Sequence, residues 1–253
     1  MSSKFPATII LAGGIATRLG AVSEQTPKAM MAIGGKPFID YQLRLLAEQD
    51  VNEVVLSVAH LGKKIEDFVG DGSRYGISVK YVYDGPKRLG TGGAIKAALS
   101  AVPDCFGILY GDTYLDIVYS PIYESFLKSG KKGLMTVLQN ENSWDKSNVL
   151  FEDGEIKIYD KHHPTAQMRH IDYGLSIMSK SCFDDYLDDQ AFDLSEVFER
   201  TIKRGEMAGF EVHKRFYEIG TPESLLETEQ YLIARPPKAG RPASDASRTE
   251  PEH

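Results

Sequence analysis

Short apolar segments rich in β-branched residues recur along the first half of the chain, and each predicts a β-strand. They cover residues 7–11, 54–58, 79–83 and 106–110. Between them, apolar residues return every three or four positions, which predicts helices after Pro37, around residues 65–69 and around residues 94–99. Strands that alternate with helices at this spacing predict a three-layer α/β fold, with a mostly parallel twisted sheet flanked by helices.

The pattern changes after about residue 132. Extended chain is predicted at residues 134–138, 149–151, 156–159, 171–178 and 210–219, and a helix at residues 194–203. Asp153-Gly154 predicts a hairpin turn, and Thr221-Pro222 predicts the start of a last helix. We expect one compact unit over residues 1–234, in which the second half extends the same sheet. The proline-rich tail at 235–253 is predicted to be disordered.

The composition narrows the function classes. Of the 253 residues, 42% are hydrophobic and 26% charged, as in soluble globular proteins. A net charge of -7 disfavours nucleic-acid binding but leaves nucleotide binding open. The cysteines, Cys105 and Cys182, form no CxxC pattern, which disfavours a zinc site or a disulfide framework. No apolar run approaches the ~20 residues of a membrane span, so we expect no membrane association and a cytoplasmic location.

The strongest chemical signal follows the first predicted strand, in LAGGIATRLGAVSEQTPK at residues 11–28. Gly13 and Gly14 let the backbone approach an anion, and Arg18 and Lys28 supply cations that suit a triphosphate. The loop is neither a G-x-G-x-x-G fingerprint nor a Walker A loop. Residues 90–93 and 111–112 also lie near strand ends, where α/β sheets bind ligands. The sequence therefore predicts phosphate chemistry on a nucleotide.

Five ordered motifs resemble those of the sugar-1-phosphate nucleotidyltransferases. They are LAGGIATRL followed by TPKAMMAIGGKPFIDY, GDGSRYGI at 70–77, LGTGGAIKAAL at 89–99, YGDTYLD at 110–116 and EIGTPESL at 218–225. Within that family the chain is most similar to the short heptose- and mannose-1-phosphate guanylyltransferase-like branch. The resemblance implies the Rossmann-like nucleotidyltransferase fold, with a nucleotide-binding half at about residues 1–132 and a sugar-phosphate-binding half at about 133–234.

The resemblance also implies an activity. Such an enzyme joins a nucleoside triphosphate to a sugar 1-phosphate, uses Mg²⁺ and releases pyrophosphate. GTP is the favoured nucleotide, with CTP or UTP also possible, and a homodimer is a possible assembly. The attacking phosphate oxygen is already ionised at neutral pH, so no general base is required. Catalysis then consists of charge neutralisation and in-line positioning.

Residue roles are carried over motif by motif. By similarity, Arg18 holds the β- and γ-phosphates, Lys28 neutralises the α-phosphoryl group, and Asp112 and Glu218 bind the metal ion. The residues expected to contact the nucleotide are Leu11, Ala12, Gly13, Gly14, Thr17, Tyr83, Asp84, Gly90 and Thr91. Those expected to contact the sugar 1-phosphate are Gly111, Ser147, Asn148, Asp160, Lys161, Asp172 and Gly174.

Four motifs depart from the family pattern. Ala16 replaces the second glycine of the loop, and Glu218 replaces a metal-binding aspartate. Asp160-Lys161 stands where the family has an E-K pair, and Asp172-Tyr173-Gly174 stands where it has an N-A-G motif. These departures keep two alternatives open. One is a cytidylyl- or uridylyltransferase acting on another phosphorylated acceptor, and the other is a catalytically silent subunit that binds nucleotide sugars. A glycosyltransferase is disfavoured because residues 112–114 do not supply a D-x-D motif.

Overall fold

The computed structural model describes residues 4–14, 25–59, 61–85 and 87–235. The strands in these ranges are β1 (Thr8–Leu11), β2 (Ala32–Ile33), β3 (Lys36–Pro37), β4 (Glu53–Val58), β5 (Ser78–Tyr83), β6 (Cys105–Tyr110), β7 (Thr113–Tyr114), β8 (Gly133–Gln139), β9 (Val149–Glu152), β10 (Glu155–Tyr159), β11 (His170–Ser179), β12 (Met207–Val212) and β13 (Tyr217–Glu218). The α-helices are α1 (Phe38–Glu48), α2 (Gly62–Val69), α3 (Gly90–Ala98), α4 (Ser120–Ser129), α5 (Leu194–Lys203) and α6 (Pro222–Ala234).

The central sheet contains four neighbouring parallel strands in the order β5-β4-β1-β6. Helices α1, α2 and α3 connect them in turn, so the carboxyl ends of all four strands lie at one edge. β11 runs antiparallel to both β6 and β8, and β12 lies parallel to β8. The predicted mostly parallel sheet flanked by helices is confirmed, and the strands after residue 132 continue it.

Buried side chains fill both faces of this sheet. Ile9 and Ile10 are adjacent and fully buried, yet they belong to different clusters because side chains alternate along a strand. Ile10 packs in the cluster that includes side chains of α1, α2 and α4, whereas Ile9 packs with side chains of α3 and α5. The sheet is therefore covered on both sides, as a parallel sheet requires.

Most predicted elements lie where the apolar pattern placed them. The helix predicted at 194–203 is α5. The predicted hairpin turn joins β9 to β10, with positive φ at Asp153 (54°) and Gly154 (77°). Thr221 caps α6 and Pro222 is its first residue, as expected. Helix α4 was not predicted, although Pro121 near its start and Gly130 after its end are the usual signals. Residues 236–253 lie outside the described ranges, so disorder of the tail stays a prediction.

A small ladder beside the main sheet brings distant segments together. β7 follows β6 directly, and it pairs with β13 near the end of the described chain. Glu218 lies opposite Thr113, and the Ile219 N–H donates to the Asp112 carbonyl at 3.0 Å. This ladder places the motifs around residues 112 and 218 side by side, although more than a hundred residues separate them.

The glycines before and within α3 allow the close approach of residues 190–193. The N–H groups of Gly92 and Gly93 donate to the Phe192 carbonyl at 3.0 and 3.3 Å. A Cβ atom on residue 90 would lie 2.4 Å from that carbonyl oxygen, and Gly90 has a φ of +70°. The glycine motif therefore serves to pack the segment before α5 against the start of α3.

We expect Gly90→Ala to lower the free energy of unfolding by roughly 3 kcal/mol, because the added methyl group meets both a backbone carbonyl and a positive φ. Gly85→Ala is the matched control: Gly85 has a φ of +74° but nothing within 4 Å of the added Cβ. This control is expected to cost roughly 1 kcal/mol. Urea unfolding of both variants measures the difference, and equal losses would contradict the packing argument.

Candidate active site

A cavity of about 720 Å³ lies at the carboxyl ends of the four parallel strands. Its wall consists of the residues that follow β1, β5 and β6, together with the start of α3 and the segment around Lys28. The lining residues are Leu11, Ala12, Gly13, Gly14, Lys28, Ala29, Ser57, Ala59, Asp84, Gly85, Lys87, Arg88, Leu89, Gly90, Thr91, Ala94, Tyr110, Gly111 and Asp112. Most of the predicted nucleotide contacts therefore meet in one place.

The floor of the cavity depends on a close approach between the ends of β1 and β6. The Gly111 N–H donates to the Leu11 carbonyl at 3.0 Å, and a Cβ atom at 111 would lie 2.5 Å from that oxygen. The buried Gln42 side chain of α1 donates to the carbonyls of Tyr110 (3.0 Å) and Thr113 (2.7 Å). These bonds fix the turn that carries Asp112.

Lys28 and Asp112 form an ion pair at the rim of the cavity. The ammonium Nζ of Lys28 lies 2.6 Å from Asp112 Oδ2, and the side chains are 18% and 31% exposed. The Lys28 N–H donates to the Gly14 carbonyl at 3.1 Å, which brings both ends of the glycine loop together. Ala16, Thr17 and Arg18 lie outside the described residues, so the predictions for them stay predictions.

Glu218 lies close to this pair. Burial raises the pKa of the Glu218 carboxyl, and the charge of Asp112 raises it further, while Lys28 and Ser224 act in the opposite direction. Two carboxylates with excess negative charge are hard oxygen donors of the kind that Mg²⁺ takes together with phosphate oxygens and water. No group of three His, Cys, Asp or Glu residues in the described ranges could hold a metal on its own. The donor set thus fits a metal shared with a phosphate ligand.

Asp84 and Tyr83, both predicted to contact the nucleotide, differ in where they point. Asp84 lines the cavity, and its Oδ1 accepts a hydrogen bond from Ser57 Oγ at 3.3 Å. Tyr83 points away, because side chains alternate along an extended chain, and its hydroxyl donates to Glu66 Oε2 at 2.6 Å. The structure therefore brings Asp84 to the cavity but not Tyr83.

Thr91 and Gly90 line the cavity, but they also serve the packing of the chain around α5. The hydroxyl oxygen of Thr91 accepts a hydrogen bond from the Leu194 N–H at 2.9 Å. Its Oγ1 is therefore already engaged in holding α5 against α3. The cationic side chains of Lys87 and Arg88 precede this turn and line the cavity as well. Neither residue was predicted to lie at the site, although two consecutive cations before a glycine motif are a signal visible in the sequence.

The predicted acceptor residues on β11 lie behind Tyr110. Asp172 Oδ2 accepts from the Tyr110 hydroxyl at 3.5 Å, and its Oδ1 accepts from the Gly174 N–H at 3.0 Å. The Asp172 N–H donates to Asn148 Oδ1 at 3.0 Å. The φ of +99° at Gly174 accompanies a register shift of β11 against β8. Burial raises the pKa of Asp172 to about 6, against the opposing effects of Gly174 and Tyr110.

Lys161 lies close enough to lower the pKa of Asp172, and its Nζ is 2.6 Å from Asp193 Oδ1. Asp193 also caps α5 through the Ser195 N–H. The D-L-S-E spacing of a capping box marks Asp193 as a helix N-cap, but nothing in it points to Lys161, so the pair was not predicted. The Asp160 carboxylate accepts from the N–H groups of His162 and His163, both at 2.8 Å, and thus stabilises its own loop.

Ser147, which was predicted to contact the substrate, lies buried within its own loop. It is 1% exposed. Its hydroxyl accepts from the Asn142 N–H at 3.0 Å and from Asn140 Nδ2 at 3.3 Å. These bonds close the loop between β8 and β9, so Ser147 has a structural role. Among the predicted acceptor contacts, Gly111 lines the cavity, whereas Asn148, Asp172 and Gly174 form the cluster behind Tyr110.

The parallel sheet and the glycine-lined cavity at its strand ends, with a cation beside carboxylates, define an α/β protein of the nucleotide-binding type. The chain belongs to the nucleotidyl transferase family, which it matches over residues 7–235. In the described ranges, no helix has the length and apolar character needed to cross a membrane.

Relatives with known names support this membership. A D-glycero-alpha-D-manno-heptose 1-phosphate guanylyltransferase of Campylobacter jejuni is 30% identical over 216 residues, which is 85% of this chain and 95% of that protein. A protein of the same name from Aneurinibacillus thermoaerophilus is 29% identical over 228 residues, or 88% of this chain and 97% of the relative. The crystal structure of HddC from Yersinia pseudotuberculosis complexed with GMP-PN has a TM-score of 0.74 at 29% identity, covering 90% of this chain and 100% of that chain.

We expect Glu218→Gln to raise the stability of the ligand-free protein near neutral pH, because it removes a charge that burial and Asp112 disfavour. The folded-state pKa is raised, so the wild type loses stability as pH rises from the ordinary glutamate value through the raised one. The gain of the variant should therefore vanish at acidic pH. Melting temperatures across the pH range measure it, with the exposed Glu124→Gln as control. If the variant melted below the wild type at pH 7, the charged Glu218 carboxylate would not be destabilising, and the prediction would be wrong.

Proposed function

We propose that this protein is a Mg²⁺-dependent guanylyltransferase that joins GTP and a heptose or hexose 1-phosphate into a GDP-sugar and pyrophosphate. The observation that carries the proposal is the meeting of Lys28, Asp112 and Glu218 at the glycine-lined cavity. The names of the relatives support GTP as the nucleotide and a heptose 1-phosphate as the first acceptor to test.

The reaction transfers a GMP unit. An oxygen of the sugar phosphate attacks the α-phosphorus of GTP, and a new P–O bond forms. The bond from the α-phosphorus to the oxygen that bridges to the β-phosphorus breaks, and pyrophosphate leaves with that electron pair. The nucleophile carries its charge before the reaction, so no side chain has to remove a proton. The protein then contributes positioning and electrostatic stabilisation.

Lys28 is the cation best placed for this role among the described residues. Its ammonium group already lies against Asp112 at the rim of the cavity, and its backbone is fixed to Gly14. A small movement of the flexible side chain brings the charge onto a phosphoryl group bound there. Such a contact favours the in-line arrangement, because charge accumulates on the phosphoryl oxygens as the leaving group departs.

Asp112 and Glu218 would hold the Mg²⁺. A bound divalent cation neutralises phosphate charge and orients the α-phosphate and the leaving group. Asp112 comes directly after β6 and Glu218 from β13, and the β7–β13 ladder fixes their backbones relative to each other. The raised pKa of Glu218 supports this assignment, since a cation would remove the repulsion that Asp112 exerts.

The cluster behind Tyr110 suits the sugar. Asp172 offers a carboxylate to sugar hydroxyls, and Lys161 supplies a cation next to it that suits the acceptor phosphate. We assign residues 1–132 to nucleotide binding and residues 133–234 to sugar-phosphate binding on this ground. In this arrangement the acceptor approaches from β11, across Tyr110 and Gly111, toward the nucleotide at the ends of β1 and β6.

We expect the purified protein to release pyrophosphate when it is given GTP, Mg²⁺ and a heptose or hexose 1-phosphate. Lys28→Ala should lower kcat by roughly 100-fold or more, since it removes a charge that acts on the transition state. Lys128→Ala, on α4, is the control and should retain full activity. The proposed activity would be refuted if no pairing of four nucleotides with a panel of sugar 1-phosphates released pyrophosphate. GTP binding without turnover would instead favour the silent subunit.

We expect Mg²⁺ together with GTP to raise the melting temperature more than GTP alone, because the metal and the nucleotide bind the same folded site. Asp112→Asn should abolish that additional increase, whereas Asp104→Asn, at an exposed position before β6, should preserve it. This measurement needs no turnover. An unchanged Mg²⁺ effect in Asp112→Asn would exclude the proposed metal site.

A further inference from the structure

Trp144 is the one tryptophan of the chain, and nearly half of it is exposed. It lies in the loop between β8 and β9. The phosphate and metal chemistry proposed above does not use it. A single exposed aromatic side chain is ordinary on a protein surface. What distinguishes Trp144 is the way its loop holds it and the groups that lie around it.

The loop holds Trp144 in a fixed position. The Asn140 side chain accepts from the Trp144 N–H at 3.3 Å and donates to the Asp145 carbonyl at 2.6 Å. The Asn142 N–H donates to Ser147 Oγ at 3.0 Å, and the Ser147 N–H donates to Asn142 Oδ1 at 2.9 Å. Asn142 also has a φ of +61°. Such a backbone conformation costs energy and persists only where the surroundings impose it.

Side chains from the segment that leads into β13 support the indole. Phe216 meets it edge to face, with ring centroids 6.4 Å apart. The guanidinium carbon of Arg215 lies 5.1 Å from the centroid of the Trp144 ring and 4.7 Å from that of Tyr217. Arg215 is itself held by Glu227 at 2.7 Å. The exposed part of Trp144, 45% of the residue, is the part that these neighbours leave uncovered.

The loop of Trp144 reaches both parts of the proposed acceptor site. Asp145 lies close enough to Glu218 that its charge adds to the effect of burial in raising the pKa of that carboxyl. Asn148, where the loop ends, accepts from the Asp172 N–H at 3.0 Å through its side chain. The same loop therefore connects the neighbourhood of the proposed metal ligand with the carboxylate assigned to the sugar.

We infer that Trp144 is a specificity-determining residue for the acceptor, on which the ring of the sugar 1-phosphate stacks. This inference rests on the proposed function and names the surface that recognises the sugar instead of its phosphate. A pyranose has a face of C–H groups and a rim of hydroxyls. The electron-rich face of an indole attracts the C–H groups, and a carboxylate such as Asp172 accepts from the hydroxyls. An aromatic ring and a carboxylate on one loop system thus suit an amphipathic ring.

The intrinsic fluorescence of the protein tests whether a sugar covers this residue. All tryptophan emission comes from Trp144, so quenching by acrylamide measures how open its indole is. We expect GDP-mannose to lower the quenching constant roughly 2-fold relative to GDP, because stacking covers one of the two faces of the indole. Equal quenching constants with the two ligands, both at saturating concentration, would overturn the inference.

Trp144→Ala should raise the KM of the sugar 1-phosphate that supports turnover roughly 10-fold. The kcat and the KM for GTP should stay unchanged, because stacking holds the sugar equally in the ground state and the transition state. Trp144→Phe keeps a flat aromatic face and should recover most of the loss. Leu127→Ala, at a 51% exposed position on α4, is the matched control and should keep every constant of the wild type.

Two kinetic outcomes would overturn the inference. One is an unchanged KM for the sugar 1-phosphate in Trp144→Ala. The other is a loss of kcat in Trp144→Ala that Trp144→Phe does not recover, since it would mean that the residue supports its loop and not the sugar.

The quenching experiment also separates this inference from the proposed reaction, because it needs no turnover. If no sugar phosphate released pyrophosphate but GDP-mannose still shielded Trp144, the proposed reaction would fail and the sugar-binding role of Trp144 would stand. If pyrophosphate were released without such shielding, the inference alone would fail. Shielding that grows with protein concentration in the absence of ligand, together with a dimer in sedimentation, would make Trp144 an interface between two copies and would also overturn the inference.

Discussion

The ion pair between Lys28 and Asp112 joins the two segments on which the site depends. These residues are 84 positions apart in the chain, and their charged atoms lie 2.6 Å apart. Lys28 is fixed to Gly14 at the end of the glycine loop, and Asp112 is fixed to Ile219 beyond β13. A partly exposed pair of this kind contributes little to stability. Its importance for the proposed function is that it places a cation beside a carboxylate, which a phosphoryl group and a metal would require.

Burial disfavours the charged form of three carboxylates in or beside the cavity. Burial raises the pKa of Asp84, Glu218 and Asp172, and no neighbouring charge offsets it fully. Groups of this kind lower stability in the absence of a ligand, and they concentrate at functional sites. Their positions differ: Asp84 follows β5, Glu218 lies on β13 and Asp172 lies on β11. The three carboxylates are therefore spread across the sheet, from the end of β5, past Asp112, to β11.

The strands and the cavity could be predicted from sequence because they depend on local patterns. Apolar alternation located the parallel strands, and the rule that ligands bind at their carboxyl ends brought Gly13, Lys28 and Asp112 together. The orientation of single side chains could not be predicted. Tyr83 and Asp84 are neighbours, and the pleat alone decides that one faces Glu66 and the other the cavity. The burial of Ser147 could not be predicted either, because the motif does not reveal that its hydroxyl closes a loop.

The glycine motif at residues 90–93 has two roles, and the resemblance pointed to only one of them. Its resemblance suggested backbone contacts to a nucleotide, and Gly90 and Thr91 do line the cavity. The clashes that a Cβ would cause are nevertheless with residues 190–193 and, at Gly93, also with Leu89. That segment ends in Asp193, which caps α5 and binds Lys161. The same glycines that border the cavity therefore also locate Lys161, so packing links the cavity to the cluster behind Tyr110.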